Sequence, residues 1–100
     1  MTFDGFLWLD DILDKLIVKH NVEKWEVEEL FANDPHIRLR ERGNRPGEDI
    51  YVALGQTDAG RYLFVVFIYK PRNQNRPRSL VLVTSARDMD KKERNQYERK

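Results

Sequence analysis

Apolar positions in the first third of the chain recur every three to four residues. Ile12, Leu13, Leu16 and Ile17 fall on one stripe, with Asp10 and Asp11 ahead of them and Lys19 and His20 behind. That spacing predicts a helix over Asp10–His20, with acids at the positive end of its dipole and bases at the negative end. Past Asn21, the residues Val27, Leu30 and Phe31 keep the helical period between Glu23 and Ala32, and Asn33-Asp34-Pro35 ends it. The period then falls to two. Ile37 and Leu39 alternate with Arg38 and Arg40, and beyond Gly43–Gly47 the residues Ile50, Val52 and Leu54 do the same, predicting two strands. Thr57-Asp58-Ala59-Gly60 reads as a turn, and the β-branched and aromatic run Tyr62–Tyr69 as a central strand covered on both faces. The polar loop Pro71–Pro77 closes the next hairpin, Leu80–Thr84 is a fourth strand, and Asp88 is placed to cap a final helix reaching Tyr97. The expected fold class is therefore α+β: two N-terminal helices, a four-stranded antiparallel sheet and a C-terminal helix. One face of such a sheet takes the helices, and the other, with the hairpin loops, is left for a ligand.

Composition narrows the function classes. One hundred residues, 40% hydrophobic and 35% charged, make a single domain with one small core and little room for an enclosed cofactor, which excludes a Rossmann or barrel enzyme. With no cysteine there is no disulfide scaffold, thiolate metal site or thiol nucleophile, and the chain fits a reducing cytoplasm. Leu63–Tyr69, the strongest apolar run, is about a third of the roughly 20 residues of a membrane span. With Asp4 where a signal peptide has basic charge, neither secretion nor membrane insertion is expected. The net charge of +1 conceals a division: residues 1–34 carry −6, residues 35–69 carry +1 and residues 70–100 carry +6. A basic surface for a polyanion follows if the fold keeps these ends apart.

The basic residues are mostly arginine: Arg38, Arg40, Arg42 and Arg45, then Arg72, Arg76 and Arg78, interleaved with Tyr51, Tyr62 and Tyr69. Guanidinium groups pair with phosphate oxygens and stack on bases, so Arg38, Arg40 and Arg78 are candidate RNA contacts. Charged strand edges that prevent aggregation are the plainer alternative. RNA cleavage without metal needs a base for the 2′-hydroxyl, an acid for the leaving oxygen and fixed positive charge for the phosphate. His20 offers proton transfer, Glu48 a carboxylate at the head of a strand, and Arg61 and Arg87 phosphate clamps. Each also has a structural reading: His20 as a residue favoured by the helix dipole, Glu48 as an exposed strand end, Arg87 as a cap partner. His36 is read as structural or exposed, and Asp10, Asp11 and Asp14 as dipole acids rather than cation ligands. No phosphate loop, serine elbow or zinc pattern occurs, so neither metal nor cofactor is expected. Trp8 and Trp25 flank the first helix and are expected in the core or at its edge.

Taken in order, the residues resemble the BrnT toxins over nearly the whole chain. The resemblance is carried by Trp8-Leu9-Asp10, Lys19-His20-x-Val22, Leu30-Phe31-x-Asn33-Asp34-Pro35 and Gly47-Glu48-x-x-x-Val52-x-x-Gly55. It continues through Gly60-Arg61-x-Leu63-x-Val65-Val66-Phe67, Ser85-Ala86-Arg87-Asp88-Met89 and Glu93-Arg94-x-x-Tyr97-Glu98. It implies a ribonuclease toxin of a type II toxin–antitoxin system, with a RelE-like fold, that cleaves RNA and arrests translation in a bacterial or archaeal cell. It also implies a BrnA antitoxin whose ribbon-helix-helix part binds operator DNA, the toxin meeting DNA only through that complex. Carried over by position, Lys19 would bind phosphate, His20 or Glu48 would move the proton, and Arg61 and Arg87 would meet transition-state charge. The chain departs from the family pattern at Ile12 and Leu16, at Asp49, and at Leu82, where the family usually has arginine. A noncatalytic RNA- or antitoxin-binding module on the same fold is therefore the second reading.

Overall fold

The computed structural model describes residues 2–99. In chain order its elements are β1 (Gly5–Leu7), α1 (Asp10–His20), α2 (Lys24–Ala32), β2 (His36–Glu41), β3 (Ile50–Gln56), β4 (Tyr62–Lys70), β5 (Leu80–Asp88) and α3 (Lys91–Glu98). The α+β class and the expected helices and strands are present, but the sheet is not a four-stranded antiparallel meander. Its order is β1-β5-β4-β3-β2, and β1 joins the edge of β5 in parallel, so the sheet is five-stranded and mixed. A strand therefore precedes the two N-terminal helices. Gly5-Phe6-Leu7 is too short to show a period. It is fixed instead by Asp4, whose N–H donates to the Ser79 carbonyl at 2.9 Å while its carboxylate accepts from the Ser79 N–H at 2.8 Å.

Two further details differ from expectation. β5 runs on to Asp88 because that residue still pairs with Leu63 of β4, past a bulge between Val66 and Phe67. The cap of α3 falls to Asp90, whose side chain accepts from the Glu93 N–H while Glu93 accepts from the Asp90 N–H, a reciprocal capping box. Trp8 is half-buried against the core with its indole N–H donating to Glu28 at 3.1 Å, whereas Trp25 lies on the outer side of α2, 55% exposed.

The helices pack as their apolar stripes dictate. α1 buries Leu16 completely and ends at Asn21 in the left-handed region, whose N–H closes on the Ile17 carbonyl. α2 starts at a Glu23–Glu26 capping box and buries Val27 and Leu30. It comes so close to β3 that a Cβ at Gly55 would lie 2.9 Å from Leu30 Cγ, which is why a glycine stands there. These side chains meet Ala53, Leu63, Val65, Phe67, Val81, Val83 and Ala86 on one sheet face, with Phe67 held between Phe31 and Tyr51. The opposite face is covered at one end only. There α3 lays Tyr97 over Val52, Leu54 and Phe64, and the register puts His36, Leu54, Phe64 and Arg87 in one row across four strands. Further along β4 on this face Val66 and Ile68 stay half-buried, so the central strand is covered on both faces only near Phe64. Among the described residues no helix is long and apolar enough to cross a membrane.

Candidate functional site

The residues nominated from sequence lie in three separate places. The first is the end of the sheet where Arg61 leaves the Thr57–Gly60 turn. Gly60 takes φ +90 there, a value a side chain resists, and Thr57 Oγ1 accepts the Arg61 N–H at 3.0 Å. The Arg61 guanidinium then spans three elements. Nε donates to Asp88 at 2.7 Å, Nη1 to the Asn21 carbonyl at 2.8 Å and to Glu26 at 2.9 Å, and Nη2 to the His20 carbonyl at 3.1 Å and to Asp88 at 3.3 Å. All five of its N–H groups are thus engaged. The end of α1, the first turn of α2 and the end of β5 are tied by one cation, which satisfies helix carbonyls that would otherwise lack donors. His20 belongs to this corner, close enough for its charge to help hold the Asp88 carboxyl low, although the Arg61 hydrogen bond is the larger cause. Lys19 is exposed on the same helix end.

Glu48 lies at the other end of the molecule. It sits in the exposed loop before β3, and β3 runs from Ile50 to Gln56 before reaching the turn that carries Arg61. Six strand steps separate the two ends by roughly 20 Å, so Glu48 does not meet His20 and Arg61. Arg78 is also at that far end, donating to the Asp4 carbonyl at 2.9 Å, and Arg40 is exposed where the β2–β3 register shifts.

The third place is the face beneath α3, and it gathers the remaining candidates. Strand alternation points His36 and Arg38 of β2 to this side together with Leu54 and Val52 of β3. Between β2 and α3 lies a cleft of about 250 Å³ lined by His36, Ile37, Arg38, Leu54 and Gln96. His36 is exposed and meets the edge of the Tyr97 ring, with centroids 5.9 Å apart. Arg38 is exposed and makes no ion pair among the described residues. Arg87, at the other end of the row, lies 4.1 Å over the Phe64 ring and grips both oxygens of Glu93 at 2.8 Å. Arg87 holds the Glu93 carboxyl below its ordinary range, the Asp90 N–H adds to this, and the charge of Arg38 adds further. His36 is the group that the sequence reading passed over. The signal was present: His36 and Arg38 are two apart in a strand, hence on one face.

The two arginine–carboxylate ties predict a pH dependence. Asp88 and Glu93 titrate below their ordinary values in the folded chain, each chiefly because an arginine donates to it. Their contribution to stability is full above the unfolded carboxyl value near 4 and is lost as pH falls through the lower folded values. The melting temperature is expected to be flat from about pH 7 to 5 and to drop below about pH 4, and the drop is expected to shrink in Glu93→Gln. A profile unchanged by that substitution would remove Glu93 from the account.

The cleft joins a histidine, an arginine without an ion-pair partner and an amide, with a second arginine in the same row. Imidazole is the side chain suited to proton transfer near neutral pH, and guanidinium to holding phosphate. No curated protein matches the chain. A family model described as ribonuclease toxin, BrnT, of type II toxin–antitoxin system matches residues 8–93. That span takes in α1, α2, all of β2–β5 and the first turn of α3 with Glu93, and a toxin of this type implies an antitoxin partner. Matched from Trp8 to Glu93, over both N-terminal helices and strands β2 to β5, the chain belongs to the BrnT family of ribonuclease toxins of type II toxin–antitoxin systems.

Proposed function

We propose that the chain, on a RelE-like scaffold, is an endoribonuclease that cuts RNA without metal in the cleft between β2 and α3. It thereby arrests translation in the cytoplasm and is held in check by a BrnA-like ribbon-helix-helix antitoxin, through which alone it meets operator DNA. The observation that carries this reading is the placement of His36 and Arg38 side by side in one cleft with Gln96. The His36 imidazole takes the proton of the 2′-hydroxyl, whose oxygen attacks the adjacent phosphorus. The bond to the 5′-oxygen breaks, that oxygen takes a proton from water at the open mouth of the cleft, the hydroxide so formed takes back the proton held by His36, and a 2′,3′-cyclic phosphate and a 5′-hydroxyl are left. Arg38 and Arg87 supply charge to the crowded phosphate at its transition state. Proton transfer is assigned to His36 rather than His20, since the guanidinium beside His20 has every donor engaged within the fold. Arg61 on this reading positions α1, α2 and β5. Lys19, Arg40 and Arg78 are left as outer contacts along the RNA, and Glu48 has no part in the chemistry.

The test is incubation of the purified chain with RNA in EDTA, followed by end analysis of the products. Cyclic phosphate ends formed in EDTA support the reading. Intact RNA, with and without ribosomes, overturns it in favour of the noncatalytic module, a reading supported by Leu82, which pairs with Ile68 on this face where the family usually carries arginine. Salt-sensitive RNA binding without cleavage would be the mark of that module.

A further inference from the structure

Glu93 holds Arg87 by a two-pronged ion pair. Both its oxygens face the Arg87 guanidinium at 2.8 Å, the forked geometry in which arginine also holds phosphate, and its side chain is only 14% exposed. Gln96, one turn along the same helix, lines the cleft with Arg38 and His36, so the helix face that carries Glu93 is the one turned toward both arginines. Arg38 contributes to keeping that carboxyl ionised.

The element that delivers Glu93 is also the one most easily detached. α3 has eight residues, too few to persist alone in water, and only Met89 and Asp90 join it to β5. Tyr97 and Met89 hold it to the sheet through Val52, Leu54 and Phe64. A hydrogen bond of 2.8 Å from Tyr62 to Glu98 and the stacking of Arg94 over Tyr62 add to this. Beneath it lie the rings of Phe64 and Tyr62 in the same sheet face as Arg87, Arg38 and His36. Aromatic faces beside guanidinium groups are the surface on which single-stranded RNA stacks and pairs its phosphates.

We infer that α3 is a lid over the RNA site: Glu93 holds Arg87 in place of a backbone phosphate, and RNA enters by displacing the helix about Met89-Asp90. This rests on the RNA-cleavage reading above and adds that the free chain is held partly closed by its own carboxylate. RNA thus competes with an internal anion, and removing that anion strengthens binding.

The test is fluorescence anisotropy with a 2′-O-methyl oligonucleotide, which binds and cannot be cut, titrated with the full chain, Glu93→Gln and Glu98→Gln at one salt concentration. Glutamine still serves the capping box, so the helix start survives while the charge is lost. Glu93→Gln is expected to bind about tenfold more tightly, the low end for removing a competing charge-assisted pair. Glu98→Gln, which loses the same charge from the same helix while its amide oxygen still accepts from the Tyr62 hydroxyl, is expected to stay within about twofold, as for an exposed charge. Amide exchange in the wild-type chain is expected to quicken in residues 91–98 when the oligonucleotide is added, while β4 stays protected. Equal affinity of wild type and Glu93→Gln overturns the lid alone, as do equal gains in the two variants or slower exchange in α3. Failure of all three proteins to bind overturns the RNA reading and the lid with it.

Discussion

Arg61→Ala is expected to lower stability by about 3–5 kcal/mol, the cost of breaking a buried ion pair from one side. For a chain of this size that is a fall of more than about 12 °C in melting temperature. The size of the loss is set by the groups that the substitution strands. The Glu26 side chain is only 12% exposed and accepts from Arg61 at 2.9 Å, so it would keep a charge with little water to solvate it. The His20 and Asn21 carbonyls lose their donors at the same time. Asp88 matters less, because its side chain is 63% exposed and water replaces the guanidinium. Arg61→Lys keeps the charge but offers three donors on one atom instead of a planar fork, and is expected to recover only part of the loss. Glu26→Gln in the Arg61→Ala background removes the stranded charge and is expected to restore about half, the coupling a double-mutant cycle reads. Urea melts of the parent, Arg61→Ala, Arg61→Lys, Glu26→Gln and the double variant measure this. A loss under about 1 kcal/mol for Arg61→Ala would mean that water replaces the guanidinium at every acceptor. Any drop in RNA cleavage by that variant is therefore to be read beside its melt, since the residue acts on the fold before it acts on a phosphate.

Arg61 also shows where sequence reading stops. A lone arginine after a glycine turn looks like a ligand clamp, and its partners are set by contacts with residues 27 to 41 positions away. Nothing local announces them. The helices α1 and α2 and the strands β3 and β4 were legible because each shows its period or a dense β-forming run. β1 has only three residues, and its partner β5 begins at Leu80, so neither its existence nor its parallel direction leaves a local trace. Asp88 and Asp90 are equally good caps as side chains. Pairing with Leu63 keeps Asp88 in the strand, a choice made by β4 and not by either aspartate. Trp25, expected in the core or at its edge, is exposed, because the buried stripe of α2 is set by Val27 and Leu30. The site was legible in part. Arg38 and Arg87 do lie beneath α3, on the face left open by α1 and α2, whereas Glu48 was nominated for its chemistry without any means of seeing that the length of β3 separates it from His20 and Arg61.

His36→Ala is expected to reduce RNA cleavage by about 10²–10⁴-fold, the range for removing a positioned general base, with little change in the melting temperature. The small effect on stability follows from position: His36 is exposed at the start of an edge strand, with its ring set crosswise to that of Tyr97. Substrate affinity is expected to be nearly kept, since Arg38 and Arg87 remain, so the loss falls on kcat rather than KM. Free imidazole enters an open cleft of about 250 Å³ and is expected to restore part of the activity of His36→Ala and none of Arg38→Ala. His20→Ala provides the contrast. Its side chain lies in the Arg61 corner, near enough to act on Asp88, and its loss is expected to lower the melting temperature by a few degrees and cleavage by less than about tenfold. Single-turnover cleavage of one labelled RNA by the three variants, with and without imidazole, decides between the two histidines. Normal cleavage by His36→Ala with a large loss in His20→Ala would move proton transfer to the end of α1, and Arg61 would then have to release some of its acceptors to meet the phosphate.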